Sequence, residues 1–416
     1  STRSRTLRTM GLVVHKYGGT SVADADRMRA VAEHVRRTRR RGDDVVVVIS
    51  AMGKETDELI RTAADLSDDP PGREMDMLIT AGERKASALM CMALDAAGVP
   101  AASFTGSQAG FRTDTNHTNA RIVEVRPDRV RAALDDGLVP VVGGSQGVST
   151  DHDVTFLGRG GSDTTAVALA EALGADACEL YTDVSGVFTT DPQLVPEARK
   201  MDSITFDELL EMTATGCPKP AMRSVEFART HGVPLYVRSA FTWEPGTWVV
   251  FEEEKTDMEQ PIIRAVTQDS SEAKVTVSGL ADEPGIAATL FRGLADQHVN
   301  VDMIVQNVSE HGVTDISFTV PHEDLPVGLT TLEKLTPELG ATGVAADSEI
   351  ARVSIVGAGM KSNPGVAATM FETLAEHGVN IEMISTSAIR TSCVVREEQA
   401  DLAVQVLHEA FELHEA

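Results

Sequence analysis

From Val13 to about Ala240, apolar positions follow two alternating rhythms. Short β-branched runs, of which Val45 to Ile49 is the clearest, alternate with stretches of helical spacing such as Asp76 to Ala97. Val139 to Val142 and Cys178 to Tyr181 read as further strands. A short continuous apolar run between turn signals fits a strand buried on both faces, and a 3.6-residue period fits a helix with one buried stripe. The alternation predicts an α/β fold with a mostly parallel sheet, whose ligands bind beyond the carboxyl ends of the strands. After Trp243-Glu244-Pro245-Gly246 and the polar run Glu252-Glu253-Glu254-Lys255 the texture changes.

The remainder repeats itself. Ala273-Lys274-Val275-Thr276-Val277, followed by Pro284-Gly285-Ile286-Ala287-Ala288-Thr289, recurs as Ala351-Arg352-Val353-Ser354-Ile355 and Pro364-Gly365-Val366-Ala367-Ala368-Thr369. Phe291 and Phe371, Val299-Asn300 and Val379-Asn380, and Met303-Ile304 and Met383-Ile384 continue the match. Two copies at a spacing of about 80 residues predict a pair of small α/β modules, since a solenoid needs more and shorter units. Each copy reads strand, Pro-Gly turn, helix, strand. A helix that starts just after such a turn leaves free N–H groups for an amino-acid carboxylate, although Pro-Gly also serves simply to set a turn.

Composition narrows the field. A chain of 416 residues, 42% hydrophobic but only 4% aromatic, has material for two or three Ala/Val/Leu-rich domains. A formal charge of −26 disfavours nucleic acid and anionic membrane as partners. Cys91, Cys178, Cys217 and Cys393 form no Cys-x-x-Cys pair, so reduced thiols in the cytoplasm are expected and no zinc-type metal site is indicated. No run reaches eighteen apolar residues, and residues 1 to 9 carry Arg3, Arg5 and Arg8 without an apolar core, which reads as a disordered leader rather than a secretory signal.

Chemistry concentrates in glycine-rich turns. His15-Lys16-Tyr17-Gly18-Gly19-Thr20-Ser21 closes the first strand, and Gly158-Arg159-Gly160-Gly161-Ser162-Asp163 precedes a helix. Backbone N–H groups approach an anion closely only where side chains are absent, and a lysine adds a point charge, so the first turn suits a polyphosphate. It lacks the P-loop spacing, and a plain strand-to-helix turn gives the same short pattern. Tyr181-Thr182-Asp183 follows another strand.

Taken with Ser50-Ala51-Met52-Gly53 and Thr80-Ala81-Gly82-Glu83-Arg84, these segments resemble the aspartate kinase branch of the amino-acid kinase family, over about residues 11 to 413. The tandem repeat resembles the paired ACT domains with which relatives sense end-product amino acids. The resemblance implies a mostly parallel, three-layer αβα amino-acid kinase domain at 10–240, a linker at 241–260, and two ferredoxin-like βαββαβ ACT domains at 261–340 and 341–416. It implies transfer of the ATP γ-phosphoryl group to L-aspartate, with Mg²⁺ on the phosphates, as the first step toward lysine, threonine and methionine. Lys16 and Asp163 become the catalytic pair. Lys16, Tyr17, Gly18, Gly19, Thr182, Asp183, Phe188, Asp191 and Lys219 become the ATP site, and Ser50, Thr56, Glu83, Arg159, Gly160, Gly161 and Ser162 the aspartate site. Asp282, Pro284, Gly285, Ala287, Gln306, Asn380 and Ile381 resemble a threonine effector site, Asn300 to Asp302 and Ser387 a lysine-sensing side, and Val366 and Ala367 are further effector positions. Assembly through the ACT modules is implied, as a homo-oligomer or with a shorter subunit started internally, for which Met258 is a candidate. In isolation the same residues have plainer readings: Glu83 paired with Arg84, Arg159 with Asp151 or Asp153, and Ser162-Asp163 as an N-cap.

The chain departs from the pattern in places. Relatives often carry Tyr and Asp-Pro-Arg where this chain has Phe188 and Asp191-Pro192-Gln193, and Gly-Ser/Ala-Lys where it has Gly216-Cys217-Pro218-Lys219-Pro220. Ser385-Thr386-Ser387 is followed by Ala388 and Ile389, where relatives often place Glu, so threonine control with weakened lysine control is the expectation. The competing readings are a sibling kinase for another acidic amino acid or a nucleotide, and an amino-acid-sensing subunit with an impaired kinase half.

Overall fold

The computed structural model describes residues 11–251, 262–306, 312–358, 360, 363 and 365–415. The leader, the acidic run at 252–255 and Met258 lie outside them. The described residues divide into two compact units: 11–187, 200–213 and 218–251 form the first, and 188–199, 214–217 and 262–415 the second.

The first unit has strands β1 (Leu12–Tyr17), β2 (Asp44–Ile49), β3 (Ala101–Phe104), β4 (Phe111–Thr113), β5 (Ile122–Val125), β6 (Val139–Gly143), β7 (Gln146–Ser149), β8 (Val154–Phe156), β9 (Ala177–Thr182), β10 (Ser203–Thr205), β11 (Leu235–Ser239) and β12 (Thr247–Val250). Between them run helices α1 (Ala25–Arg40), α2 (Glu55–Ala64), α3 (Gly72–Ile79), α4 (Ala81–Ala96), α5 (Asp128–Asp135), α6 (Gly161–Leu173), α7 (Phe206–Ala214) and α8 (Met222–His231). Eight strands form one sheet in the order β10-β12-β11-β9-β1-β2-β6-β3, and β5-β4-β7-β8 form a smaller one. Within the large sheet, β11, β9, β1, β2, β6 and β3 are parallel to one another, and β12 turns antiparallel at β11.

The sequence rhythm explains this placement. Val45 to Ile49 are wholly buried, as a central parallel strand requires, and each such side chain contributes about 1.5–3 kcal/mol through burial. Val31 and Val35 of α1 and Met90 and Leu94 of α4 close one face over them. The segment predicted as one helix from Asp76 to Ala97 is broken at Thr80, whose hydroxyl bonds the Asp76 carbonyl at 2.7 Å while its own ψ falls to −8°. A Ser or Thr hydroxyl that bonds back along a helix competes with the regular ladder, and here α4 restarts just before Glu83. The segment read as a linker from 241 also contains β12, so the large sheet extends past the expected boundary at 240.

The second unit contains β13 (Ile262–Asp269), β14 (Glu272–Ala281), β15 (Asp302–Gln306), β16 (Val313–Pro321), β17 (Gly343–Asp347), β18 (Ile350–Ala358), β19 (Met383–Thr386) and β20 (Arg390–Arg396), with α9 (Ile286–Asp296), α10 (Leu325–Leu339), α11 (Gly365–Glu376) and α12 (Ala400–Ala410). They make two four-stranded antiparallel sheets, β15-β16-β14-β17 and β19-β20-β18-β13. The modules are nested rather than strictly tandem. No strand follows α12 among the described residues, and β13 fills the place beside β18 that β17 fills beside β14. A boundary at 261–340 would give β13 to the first module, whereas its pairing gives it to the second. The repeated hydrophobic positions build two cores, one around Val275, Leu290, Leu294 and Phe318, the other around Val353, Ile355, Met370 and Leu374.

Candidate active site

Parallel register brings several strand ends to one level. Tyr17 pairs with Ile49 and with Tyr181, and Ile49 pairs with Gly143, so Gly18, Ser50, Thr182 and Gly144 come side by side at the strand ends. Two glycines permit this. A Cβ on Gly19 would stand 2.8 Å from the carbonyl oxygens of Ala51 and Gly53, and one on Gly144 would stand 2.6 Å from the Ser162 Cβ. Gly144→Ala should therefore separate Ser162 from Ser50 and lower the unfolding free energy of the chain by about 1–3 kcal/mol, read in a denaturant titration.

Above these ends, α6 starts at Gly161 behind Gly160, which caps it at a left-handed φ of 71°. Its first turn carries Ser162 and Asp163. Lys16 Nζ lies 2.6 Å from Asp163 Oδ1, both side chains being nearly buried, and Asp163 Oδ2 accepts the Ala221 backbone N–H at 3.1 Å. Ser50 Oγ and Ser162 Oγ are 2.8 Å apart. A cation thus stands at the end of β1, oriented by a carboxylate of the α6 first turn, and that same turn meets the end of β2 through the two hydroxyls.

Glu83 lies at the start of α4, 3% exposed. Burial pushes its carboxyl up to about 7, opposed only in part by backbone hydrogen bonds, and Oε2 has no partner among the described residues. The plain pairing with Arg84 is not what the structure gives: Arg84 bonds the carbonyls of Thr80 and Met77. Gly143 passes close to it, since a Cβ there would meet the Glu83 Cβ at 3.4 Å. Arg159 is exposed on the Gly158–Gly161 loop. Asp153 is paired instead with Arg73 at 2.8 Å. Thr56 is half-buried on α2.

On the β9 side, Lys219 Nζ lies 2.8 Å from Asp183 Oδ1. Burial raises the Asp183 carboxyl, but the bond and charge of Lys219, with Lys16 contributing, hold it below the ordinary range. The lysine between two prolines therefore reaches the turn that follows β9. Two expected ligands have local roles. Thr182 Oγ1 closes a turn with the Val184 N–H and carbonyl, at 3.1 and 3.0 Å. Tyr17 is wholly buried and stacks on Tyr181 at 4.6 Å, so its ring faces the core beneath the site. Ser145, in contrast, escaped the sequence reading. It holds a φ of 59°, is 6% exposed, and donates its N–H to Thr165 Oγ1 at 3.0 Å. A non-glycine residue in that conformation costs energy and clusters at functional turns. The signal available was Gly143-Gly144 at the end of a buried strand.

Comparison with known proteins shows the family. The amino acid kinase family pattern matches residues 11–239, and the ACT domain pattern matches 274–335 and 353–411. An aspartokinase of Mycobacterium tuberculosis strain H37Rv is 54% identical over 407 residues, 97% of each chain. The chain belongs to the aspartokinase branch of the amino acid kinase family. It is a phosphotransferase of the class that uses a carboxyl acceptor. An aspartokinase of Pseudomonas aeruginosa is 48% identical over 97% of this chain and 98% of its own. The crystal structure of E. coli aspartokinase III in complex with aspartate and ADP matches with a TM-score of 0.82 at 26% identity, covering 96% of this chain and 99% of that one.

Other aspartokinase positions fall in the second unit. Phe188 and Asp191 group there, and the Asp191 carboxylate accepts the Gln193 N–H at 2.8 Å. Asp282, Gly285, Asn300, Gln306 and Asn380 are exposed, Ala287, Ala367 and Ile381 half-buried. Val366 is 5% exposed within the second module's core, which suits packing better than ligand contact. Ser387 donates its backbone N–H to the Arg390 carbonyl at 2.7 Å. Asp302 is held by Arg352 at 2.5 Å.

Proposed function

We propose that the protein transfers the γ-phosphoryl group of ATP to the side-chain carboxylate of L-aspartate, giving ADP and 4-phospho-L-aspartate. The observation that carries this reading is the Lys16–Asp163 pair beside Ser50–Ser162, at parallel strand ends, with the buried Glu83 presenting an unpartnered oxygen. A carboxylate acceptor is already ionised at neutral pH, so no strong general base is needed and catalysis rests on positioning and charge neutralisation. Lys16 neutralises charge on the transferring group, and the Gly18-Gly19 backbone approaches the phosphates. Lys219 and Asp183 lie on the nucleotide side. Glu83 takes the substrate ammonium, and the exposed Arg159 offers a bidentate fork to its α-carboxylate. Among the described residues no cluster of three or more His, Cys, Asp or Glu could hold a metal by itself. That donor set suits Mg²⁺, which binds through substrate phosphates and one or two carboxylates, here Asp163 and Asp183. The ion would add positive charge on the phosphate oxygens.

Regulation by amino acids through the ACT pair belongs to the same reading: threonine at the Asp282–Gln306 and Asn380–Ile381 positions, lysine more weakly. E. coli aspartokinase III has been solved in complex with lysine and aspartate, at a TM-score of 0.70 to this chain. Assembly through the ACT modules and a cytoplasmic place at the head of aspartate-derived amino-acid synthesis complete the proposal. Among the described residues no helix is long and apolar enough to cross a membrane. The intact Lys16–Asp163 and Ser50–Ser162 pairs favour a working kinase half over a purely sensing subunit.

The test is ADP release with ATP, Mg²⁺ and aspartate, with and without threonine, lysine and both. Turnover with aspartate at about 1–100 s⁻¹ is expected. Equal or faster turnover with glutamate overturns the substrate, and equal inhibition by the two amino acids overturns the effector order.

A further inference from the structure

A fully buried carboxylate on α3 anchors the turn between β4 and β5. Asp76 is 0% exposed, and its Oδ1 accepts the Thr118 backbone N–H at 2.8 Å. His117 Nδ1 lies 2.6 Å from Asp76 Oδ2, and since a carboxylate only accepts, the imidazole keeps a proton on Nδ1. Both oxygens of a charge shut off from water are thus engaged by two consecutive residues of one turn. Thr118 holds a φ of 66°, a conformation that a β-branched residue adopts only at a cost, so the Asp76 bond helps to hold the turn there. Gly72, the first residue of α3, leaves the imidazole room, since a Cβ there would stand 3.1 Å from the His117 Cβ.

The same turn abuts the loop that carries Arg159. Gly158 holds a φ of 86°, and a Cβ on it would stand 2.9 Å from Asn119 Oδ1 and 3.5 Å from the Thr118 carbonyl. Two residues on, a Cβ on Gly160 would stand 2.5 Å from the Cβ of Ala221, the residue whose N–H Asp163 accepts. The Ala120 N–H bonds the Phe156 carbonyl at 2.9 Å, and Arg223 bridges the two segments, donating to the carbonyls of Leu157 at 2.7 Å and Ala120 at 2.9 Å. Arg159 is therefore an exposed side chain on a backbone fixed by its neighbours. Asp76 also reaches the other end of the proposed aspartate site, because its carbonyl accepts the Thr80 hydroxyl at the break that begins α4 and leads to Glu83.

We propose that Asp76 and His117 are positioning residues for substrate recognition: they pin the turn at 117–119, the turn fixes the Gly158–Gly161 backbone, and that backbone aims the Arg159 guanidinium at the substrate α-carboxylate. The inference rests on the aspartate kinase reading above and adds to it the residues that set the aim of its arginine. A guanidinium grips a carboxylate bidentately only in one plane, so a small shift of the loop weakens both bonds at once. The phosphate side depends on the end of β1 and on the Lys16–Asp163 pair instead, so loosening the turn should be felt by aspartate and not by ATP.

The ADP-release assay on the full chain tests this with His117→Ala, His117→Asn, Arg159→Ala and the double variant of His117→Ala with Arg159→Ala. His117→Ala should raise the KM for aspartate about tenfold and leave the KM for ATP within about twofold. His117→Asn, whose amide donates from the place of Nδ1, should recover most of that loss. Arg159→Ala should raise the same constant about 10²-fold, and adding His117→Ala to it should change it by less than about twofold, because a residue that acts only through Arg159 has nothing left to aim. An unchanged KM for aspartate in His117→Ala, a parallel rise in both KM values, no recovery in His117→Asn, or additive losses in the double variant overturns the proposal. Should His117→Ala fail to fold by circular dichroism, Asn119→Ala decides, since it removes the exposed side chain that abuts Gly158 and leaves Asp76 and His117 in place: an unchanged KM for aspartate overturns the proposal. If the parent chain does not phosphorylate aspartate, the functional reading falls and takes this inference with it; if it does and His117→Ala behaves like the parent, only the role of the Asp76–His117 pair falls.

Discussion

Replacing Lys16 with alanine is expected to lower kcat for aspartate phosphorylation by about 10³-fold, equivalent to roughly 4 kcal/mol of transition-state stabilisation. The size follows from how little else is available to the reaction. Proton transfer is not required, so the barrier falls mainly through charge placed where the γ-phosphoryl group passes, and Lys16 is the cation at the end of the central strand β1. The same substitution should also destabilise the chain, because Asp163 keeps its Ala221 bond but loses the ammonium at 2.6 Å while remaining 11% exposed. Leaving such a carboxylate unpaired costs about 1–3 kcal/mol. The two effects can be separated. Lys16→Met combined with Asp163→Asn removes the stranded charge and should recover most of the stability by thermal denaturation, with no recovery of activity. A double variant that regains turnover would show that Lys16 serves only as a partner for Asp163.

Lys219 should show a different signature. Its side chain is 42% exposed and its ammonium bonded to Asp183, so Lys219→Ala removes little stability. The expected change is a rise in the KM for ATP of about tenfold with kcat reduced less, read in the same assay.

The parts of this site that were legible in the sequence are those whose chemistry is local. Lys16 with Gly18 and Gly19, and Gly160 with Ser162 and Asp163, each sit within one turn, and a buried β-branched run places each turn at a strand end. The Ser50–Ser162 contact spans two such turns and becomes visible only through register, which hydrophobic alternation leaves open. Ser145 was missed for a related reason: a positive φ in a non-glycine residue leaves no mark on composition. Tyr17 shows the opposite error. It lies inside the motif expected to bind phosphate, but alternation along β1 points its ring to the face away from Lys16, and period-2 geometry would have said so. Nesting of the modules was illegible because β13 reads as a strand in either module, and only pairing across the sheet decides its partner. Phe188 to Arg199 likewise look continuous with β9, yet Val195 joins the core of the second module.

Glu83→Gln should reverse the usual relation between activity and stability. The Glu83 carboxyl is raised from 4.5 to about 7, first by burial, with repulsion from Glu55 adding to it. The folded chain therefore holds a proton that the unfolded chain has already released between those two values. Stability from this group is present below about pH 4.5, is lost as pH rises toward 7, and leaves an ionised, poorly solvated carboxylate above 7 at a cost of roughly 3 kcal/mol. Glutamine removes that cost, so the variant should melt at a higher temperature than the parent at about pH 8 and differ little at about pH 5. In the proposed role, aspartate binding needs the ionised form, because Oε2 would receive the ammonium of the substrate. The kcat/KM for aspartate should then rise with pH up to about 7 and level off, while Glu83→Gln should lower the plateau by about 10²-fold and flatten the rise. A parent profile already flat between about pH 6 and 8, or a Gln variant with an unchanged KM for aspartate, would remove Glu83 from the substrate site. A stabilised but inactive variant, in contrast, would mean that the chain keeps a charge in an unfavourable place for the sake of the ammonium it receives.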